Sequence, residues 1–226
     1  MRKWIRSRSL SIAAITLFLA AFVGQVLTGR AEYNQDQQAH GEESASLVQY
    51  LATGHFGEAT LENWESEFLQ MAVFVFLTAF LVQRGSAESK KPDDESGAGE
   101  EPSDEDPAKH RNDPRAPWPV RRGGIALALY RNSLSIVLFL LFLASFWGHA
   151  ITGAVEYSED QLAHGDVAVG TLGYLTTSRF WFESFQNWQS EFLSVFAIAG
   201  LSIWLRQQHS PESKPVHAPH EQTGEE

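Results

Sequence analysis

Two carboxylates and an imidazole fall on one helical face, and the chain contains this arrangement twice. Glu32, Asp36 and His40 are spaced i, i+4, i+8, and Glu156, Asp160 and His164 repeat that spacing. Hard oxygen donors with imidazole suit Zn²⁺, Mn²⁺ or Fe²⁺, and bringing the two sets together would gather six such groups. The plainer explanation is electrostatic, since acids early in a helix and a His before a capping Gly complement the helix dipole. One ion does not span a whole triplet, because i to i+8 covers about 12 Å. A second set is Asn63 with Glu67 and Asn187 with Glu191, each at i, i+4 just outside an apolar run. Amide and carboxylate can meet at that spacing, and desolvation at such an edge raises a carboxyl pKa. Acids at membrane depth are candidates for proton, cation or substrate contact; an interfacial Asn–Glu cap is the alternative. Third, Trp64 and Phe68 recur as Trp188 and Phe192, as an aromatic belt at a membrane surface would require.

The elements that position these residues are themselves duplicated. Ser9–Gln83 returns as Ser133–Gln207 at a constant shift of 124 (133 minus 9), without insertion or deletion. Thr28-Gly29, Glu32-Tyr33 and Ala39-His40-Gly41 recur as Thr152-Gly153, Glu156-Tyr157 and Ala163-His164-Gly165. A match of this length predicts two copies of one structural unit.

Each copy opens on an apolar run, Leu10–Leu27 and Leu134–Ile151. Basic residues before Leu10 resemble the start of a signal peptide. The second run lies far from the N-terminus, however, so both are expected to be retained membrane helices. Eighteen residues give about 27 Å against roughly 30 Å of hydrocarbon. Ala20, Gly24 and Thr28, with Ala144, Gly148 and Thr152, form small-residue stripes suited to helix packing. A polar segment follows, with helical composition from Glu32 to His40, a stop at Gly41 and a loop around Gly54 and Gly57. The pattern then turns helical and enters a second, shorter apolar run, Phe68–Val82 or Phe192–Leu205. Trp181, Phe185, Trp188 and Phe192 line one face of the approach, as an interfacial helix would have them.

Lys and Arg gather at the N-terminus, in the segment between the copies and after Arg206, while the two polar loops hold only Arg30 and Arg179. This bias places both termini and the linker in the cytoplasm and both loops outside. The net charge of −11 resides mostly in the linker and tail, whose composition predicts disorder. No basic stripe with interleaved aromatics suggests nucleic acid, and the absence of Cys removes disulfides and thiolate chemistry. No phosphate loop, Gly-x-Ser-x-Gly or His-Glu-x-x-His is present. Gln25 stands where the second copy has His149, so a matched haem ligand pair is missing.

The motifs Gly24-Gln25, Glu32-Tyr33, His40-Gly41 and Asn63-Trp64-Glu65-Ser66-Glu67-Phe68-Leu69-Gln70, with Arg84-Gly85-Ser86-Ala87-Glu88-Ser89-Lys90, carry a resemblance. The chain resembles an uncharacterised bacterial family of small integral membrane proteins, a domain of unknown function. The resemblance covers both copies, leaves out linker and tail, and implies a bacterial integral membrane protein; the expected location is the plasma (inner) membrane. It brings no activity, cofactor or partner with it.

The expected fold is therefore an all-α membrane protein. Four transmembrane helices form two tandem parallel two-helix repeats with helical outer loops. The expected divisions are a basic N-terminus (1–8), a first repeat (9–83), a disordered acidic linker (84–122), a second repeat (123–207) and a disordered tail (208–226). The leading functional expectation is non-enzymatic: binding of an envelope partner, lipid or small ligand through the outer loops, without a cofactor. Beyond the lipid bilayer, a protein partner or a second copy would serve as partner. The second is a small transporter or channel using Glu67 and Glu191. The third is a metal-dependent membrane enzyme built on Glu32, Asp36, His40 and their copies.

Overall fold

A computed structural model describes residues 2–92 and 105–224, so the linker acids Asp93, Asp94, Glu95 and Asp104 lie outside the described residues. The elements are helices: α1 (Arg2–Arg6), α2 (Ser9–Ala39), α3 (Leu47–Tyr50), α4 (Gly54–Phe80), α5 (Trp118–Arg122), α6 (Gly124–Tyr130), α7 (Ser133–Ala163), α8 (Thr171–Tyr174) and α9 (Ser178–Leu201). The starts of α7, α8 and α9 each lie 124 residues after those of α2, α3 and α4 (133 minus 9, 171 minus 47, 178 minus 54). The apolar run and the start of the polar segment of each copy form one uninterrupted helix of 31 residues, about 46 Å long at 1.5 Å per residue. Both α2 and α7 are long and apolar enough to cross a membrane. Each therefore carries a polar end of several turns beyond its apolar run.

Those polar ends stop where the sequence said they would. Gly41 and Gly165 adopt φ of 80° and 84°, a left-handed conformation open to Gly at little cost. The N–H groups of Glu42 and Asp166 then return to the carbonyls of Gln37 and Gln161, each at 2.8 Å, which closes the helix end.

The chain divides into two compact units, Met1–Leu61 with Trp147–Phe180, and Glu62–Phe146 with Trp181–Glu226. Each unit takes a piece from each sequence copy. In the first unit a buried Tyr ends each short helix: Tyr50 is 1% exposed and Tyr174 0%. Each packs where its long helix has a Gly, Tyr50 over Gly29 and Tyr174 over Gly153. A Cβ on Gly153 would stand 2.8 Å from the Tyr174 hydroxyl oxygen. The loops are tied down in register as well. Ala45 N–H donates to Asn34 Oδ1 at 2.7 Å, and Val169 N–H donates to Ser158 Oγ at 3.0 Å. Thr53 and Thr177 open α4 and α9, their hydroxyls accepting from Phe56 and Phe180 N–H, as N-caps do.

The same unit brings the start of α4 close to α7. A Cβ on Gly54 would lie 2.9 Å from the Thr152 carbonyl oxygen, and one on Gly57 2.8 Å from Thr152 Cβ. The stripe proposed for packing thus has different surroundings in its two copies. Gly148 and Thr152 face close neighbours, whereas a Cβ on Gly24 would meet nothing within 4 Å and Ala20 and Ala144 are exposed. Thr28 and Thr152 turn their hydroxyls back to the carbonyls of Gly24 and Gly148.

In the second unit, segments whose composition reads as unfolded carry structure. Pro107–His110 is a 3-10 turn, and Arg111 donates to the carbonyls of Arg121 and Arg122 at 3.3 Å each. Lys214, 1% exposed, points its ammonium at the carbonyls of Gly85, His220 and Gln222 at 2.6, 2.9 and 2.8 Å. A buried ammonium offset by backbone oxygens organises a sequence too polar to form an apolar core. Helix α9 stops at Leu201, short of the Leu205 end of the apolar run, and Ser202 next to it bonds the Ser86 hydroxyl at 3.1 Å.

Because the Tyr174 ring fills the space above Gly153, Gly153→Val should cost about 1–3 kcal/mol through overpacking. A thermal unfolding comparison in detergent checks this, with Gly24→Val, which meets open space, as the smaller effect.

Candidate functional site

The polar ends of α2 and α7 border a cavity of about 660 Å³ in the first unit. That volume lies within the range of about 300–1,000 Å³ typical of small-ligand sites. Five carboxylates line it, from Asp36, Glu42, Glu156, Glu159 and Asp160, with His40, His164, Tyr33 and Arg179. Five of the six residues singled out as metal ligands are therefore gathered at one place. The sixth, Glu32, instead pairs with His55 at 3.1 Å.

The two imidazoles are held alike. His40 Nδ1 lies 3.0 Å from the Asp36 carbonyl, and His164 Nδ1 lies 2.8 Å from the Asp160 carbonyl. A proton on Nδ1 serves both bonds and leaves Nε2 as the acceptor. The bond to the Asp160 carbonyl and the Asp160 charge raise the His164 pKa.

Arg179 is the main counterion among these acids. It lies 3.6 Å from Asp160 Oδ2 and 3.9 Å from Glu58 Oε2, with its guanidinium 5.7 Å from the Tyr157 ring centroid. Glu156 is less well compensated. Its Oε2 is buried without a hydrogen-bond partner, which is costly for a charged oxygen. Burial pushes its pKa up, only partly opposed by the nearby His55 and Arg179. Glu159 is raised too, by burial first and then by the Glu42 charge. Negative charge thus exceeds positive on the cavity wall.

A second polar cluster escaped the sequence reading. Glu58 is 7% exposed and accepts a 2.9 Å hydrogen bond from the Tyr174 hydroxyl. His149 is fully buried, stacked on Phe180 at 4.8 Å, and one of its ring nitrogens lies within 4.8 Å of a Glu58 carboxylate oxygen. At the position equivalent to His149, Gln25 donates to Thr60 Oγ1 at 3.2 Å. The difference in type at this matched pair was the one available signal. Glu58 gave none, since its counterpart 124 residues on is Phe182.

Among the described residues, no three of Glu32, Asp36, His40, Glu156, Asp160 and His164 bring ligand atoms within 4.8 Å of one another. The cavity gathers them around a volume, without converging them on a point.

The second unit holds the other repeated motif. Ser66 and Ser190 donate to the carbonyls of Asn63 and Asn187, both at 2.8 Å, so the recurring Ser serves the helix backbone. Glu67 and Glu191 each lie one residue before their apolar runs, and burial first, then the Glu67 charge, raises the Glu191 pKa. Gln70 Nε2 donates to Ser194 Oγ at 3.3 Å across 124 residues of sequence. Glu65 sits fully buried and accepts the Trp188 indole N–H at 3.1 Å. Trp188 packs edge-on to Phe185 at 5.4 Å and to Trp181 at 6.4 Å, while Trp64 and Phe192 are each 38% exposed.

These features define a class: an all-helical protein with two helices able to cross a membrane and a polar, acid-rich cavity at their ends. Residues 1–225 match the family model described as a domain of unknown function (DUF6766), and the chain belongs to that family. The match takes in the linker and tail as well as both copies. No curated protein and no solved structure matches the chain.

Carboxyls raised in the folded state favour folding below their unfolded pKa, and this stability is lost as pH rises through the folded value. Glu156 and Glu159, both raised above 4.5, should therefore make the fold less stable as pH climbs from about that value. Glu156→Gln should raise the unfolding temperature at neutral pH and flatten this dependence, which thermal scans across weakly acidic pH would record.

Proposed function

We propose that the protein is a multi-pass membrane protein whose outer loops bind a small cationic ligand. In this reading α4 and α9 also cross the bilayer, giving four membrane helices in two tandem parallel repeats. Both termini and the linker are cytoplasmic, and the plasma membrane of a bacterium is the host. The runs Phe68–Val82 and Phe192–Leu205 are 15 and 14 residues, about 22 and 21 Å, so the bilayer thins or flanking residues snorkel. The distribution of Lys and Arg supports the orientation, and the constant shift of 124 between matching elements supports the repeats.

The observation that carries the reading is the cavity. Five carboxylates converge on it against one guanidinium, and one buried carboxylate oxygen lacks a partner. A cation would relieve both the repulsion and the missing bond. The spread of the groups favours a hydrated ion or an amine over an ion tightly ligated by three side chains.

A second reading rests on Glu67 and Glu191, the matched acids at the edges of the two shorter apolar runs. The Glu67 charge adds to burial in raising the Glu191 pKa. That pair would serve a small transporter moving protons or cations between the repeats.

Calorimetric titration of the purified full chain with Mg²⁺, Mn²⁺ and spermidine distinguishes these ligands. At least one should bind, and Asp36→Asn with Asp160→Asn should weaken it by about tenfold or more, since bonds to charged groups contribute about 1.5–3 kcal/mol each. No binding by any of the three, or binding untouched by the double variant, contradicts the proposal.

A further inference from the structure

The second unit contains an apolar groove with a cation at one end. It holds about 640 Å³ between α4, from Leu69 to Phe80, and the start of α7, from Leu134 to Phe139. Ala72 and Ala79 lie among the larger side chains Val75, Phe76 and Phe80, so small residues keep a channel open along the helix. Leu69 to Phe80 covers eleven steps, about 16 Å, enough for much of one acyl chain in a leaflet about 15 Å deep.

Arg131 and Asn132 close one end. Arg131 precedes α7 and Phe80 ends α4, so the cation stands at the end where α4 terminates. Asn132 spends its amide on the Ala128 carbonyl at 2.9 Å. Arg131 is exposed, and the α5–α6 segment leads directly to it. Trp118, Ile125, Leu129 and Tyr130 in that segment are exposed apolar or aromatic side chains, and Arg122 stacks on Trp118 at 5.2 Å. From Pro107 to Arg131 the chain carries Lys109, Arg111, Arg115, Arg121, Arg122 and Arg131 against a single acid, Asp113. Asp113 is already paired with Arg115 at 3.5 Å. Basic and aromatic residues in this arrangement suit an anionic lipid surface.

We infer that the groove seats one acyl chain of an anionic phospholipid whose phosphate meets Arg131. The occupant follows from the pairing of features. A free anion would gain nothing from an apolar channel, and a neutral chain would gain nothing from the guanidinium. Basic sites between membrane helices on the cytoplasmic side hold anionic headgroups for this reason. The inference rests on the proposed membrane topology, which puts Arg131 at the cytoplasmic face.

The test uses the full chain in mixed micelles, given equal dioleoyl phosphatidylglycerol and dioleoyl phosphatidylcholine, with retained lipid read by native mass spectrometry. The wild type should retain phosphatidylglycerol preferentially. Arg131→Gln should lower that preference by about fivefold, the value of one basic residue at an anionic surface. Ala79→Phe, at an exposed position, should fill the groove and lower phosphatidylglycerol retention while helix content by circular dichroism stays unchanged. Arg121→Gln with Arg122→Gln, which do not line the groove, should lower the preference less than Arg131→Gln alone does. Equal retention of the two lipids, an Arg131→Gln variant that behaves as wild type, or an equal or larger loss in the Arg121/Arg122 variant would overturn the assignment. Alkaline extraction of membranes separates the two levels. Release of the protein sinks the membrane topology itself, whereas embedded protein without lipid preference sinks only the groove.

Discussion

The structure depends on a length mismatch. Helices α2 and α7 run 31 residues each, about 46 Å, while a bilayer core takes about 30 Å. In a helix that crosses a bilayer the surplus of roughly three turns would have to leave the hydrocarbon, and both surpluses are rich in Asp, Glu, Gln and His. Tyr50 and Tyr174 pack on the Gly faces at the roots of these projections. Hydrogen bonds from Ala45 to Asn34 and from Val169 to Ser158 then fix the returning chain. These bonds hold the loops against the polar ends of the long helices.

Charge follows from that geometry. Once the polar ends border one space, five carboxylates face it, with Arg179 shared between Asp160 and Glu58. The raised pKa of Glu156 comes first from burial, so the fold itself disfavours its ionised form. Positive charge would relieve that cost, which is the basis of the proposed cation binding. Glu58, His149 and Tyr174 form a second polar cluster, buried enough that unpaired charge there is costlier still.

Much of this was legible in residues alone. The i, i+4, i+8 spacing identified Asp36, His40, Asp160 and His164, and Gly41 marked the helix stop, because both follow from local helical geometry. The sequence could not reveal that Glu32 turns to His55, since the deciding contact comes from a different element. Tyr50 and Tyr174 recur in both copies yet look like ordinary loop aromatics until Gly29 and Gly153 are seen opposite them. The buried ammonium of Lys214 among backbone carbonyls leaves no hydrophobic pattern to read in so polar a tail.

The central claim is that the polar ends of α2 and α7 form one accessible, cation-holding cavity on the outer side of a membrane. The chain has no cysteine, so single thiols can be placed without background. Gln37→Cys and Leu162→Cys lie on the cavity wall, and Ala108→Cys lies in the linker segment. A membrane-impermeant maleimide added to intact cells should label the two cavity positions, more slowly when a bound cation is present, and should reach Ala108→Cys only after the membrane is opened. Labelling of Ala108→Cys in intact cells, or cavity thiols that stay unlabelled until the membrane is opened, would contradict the account.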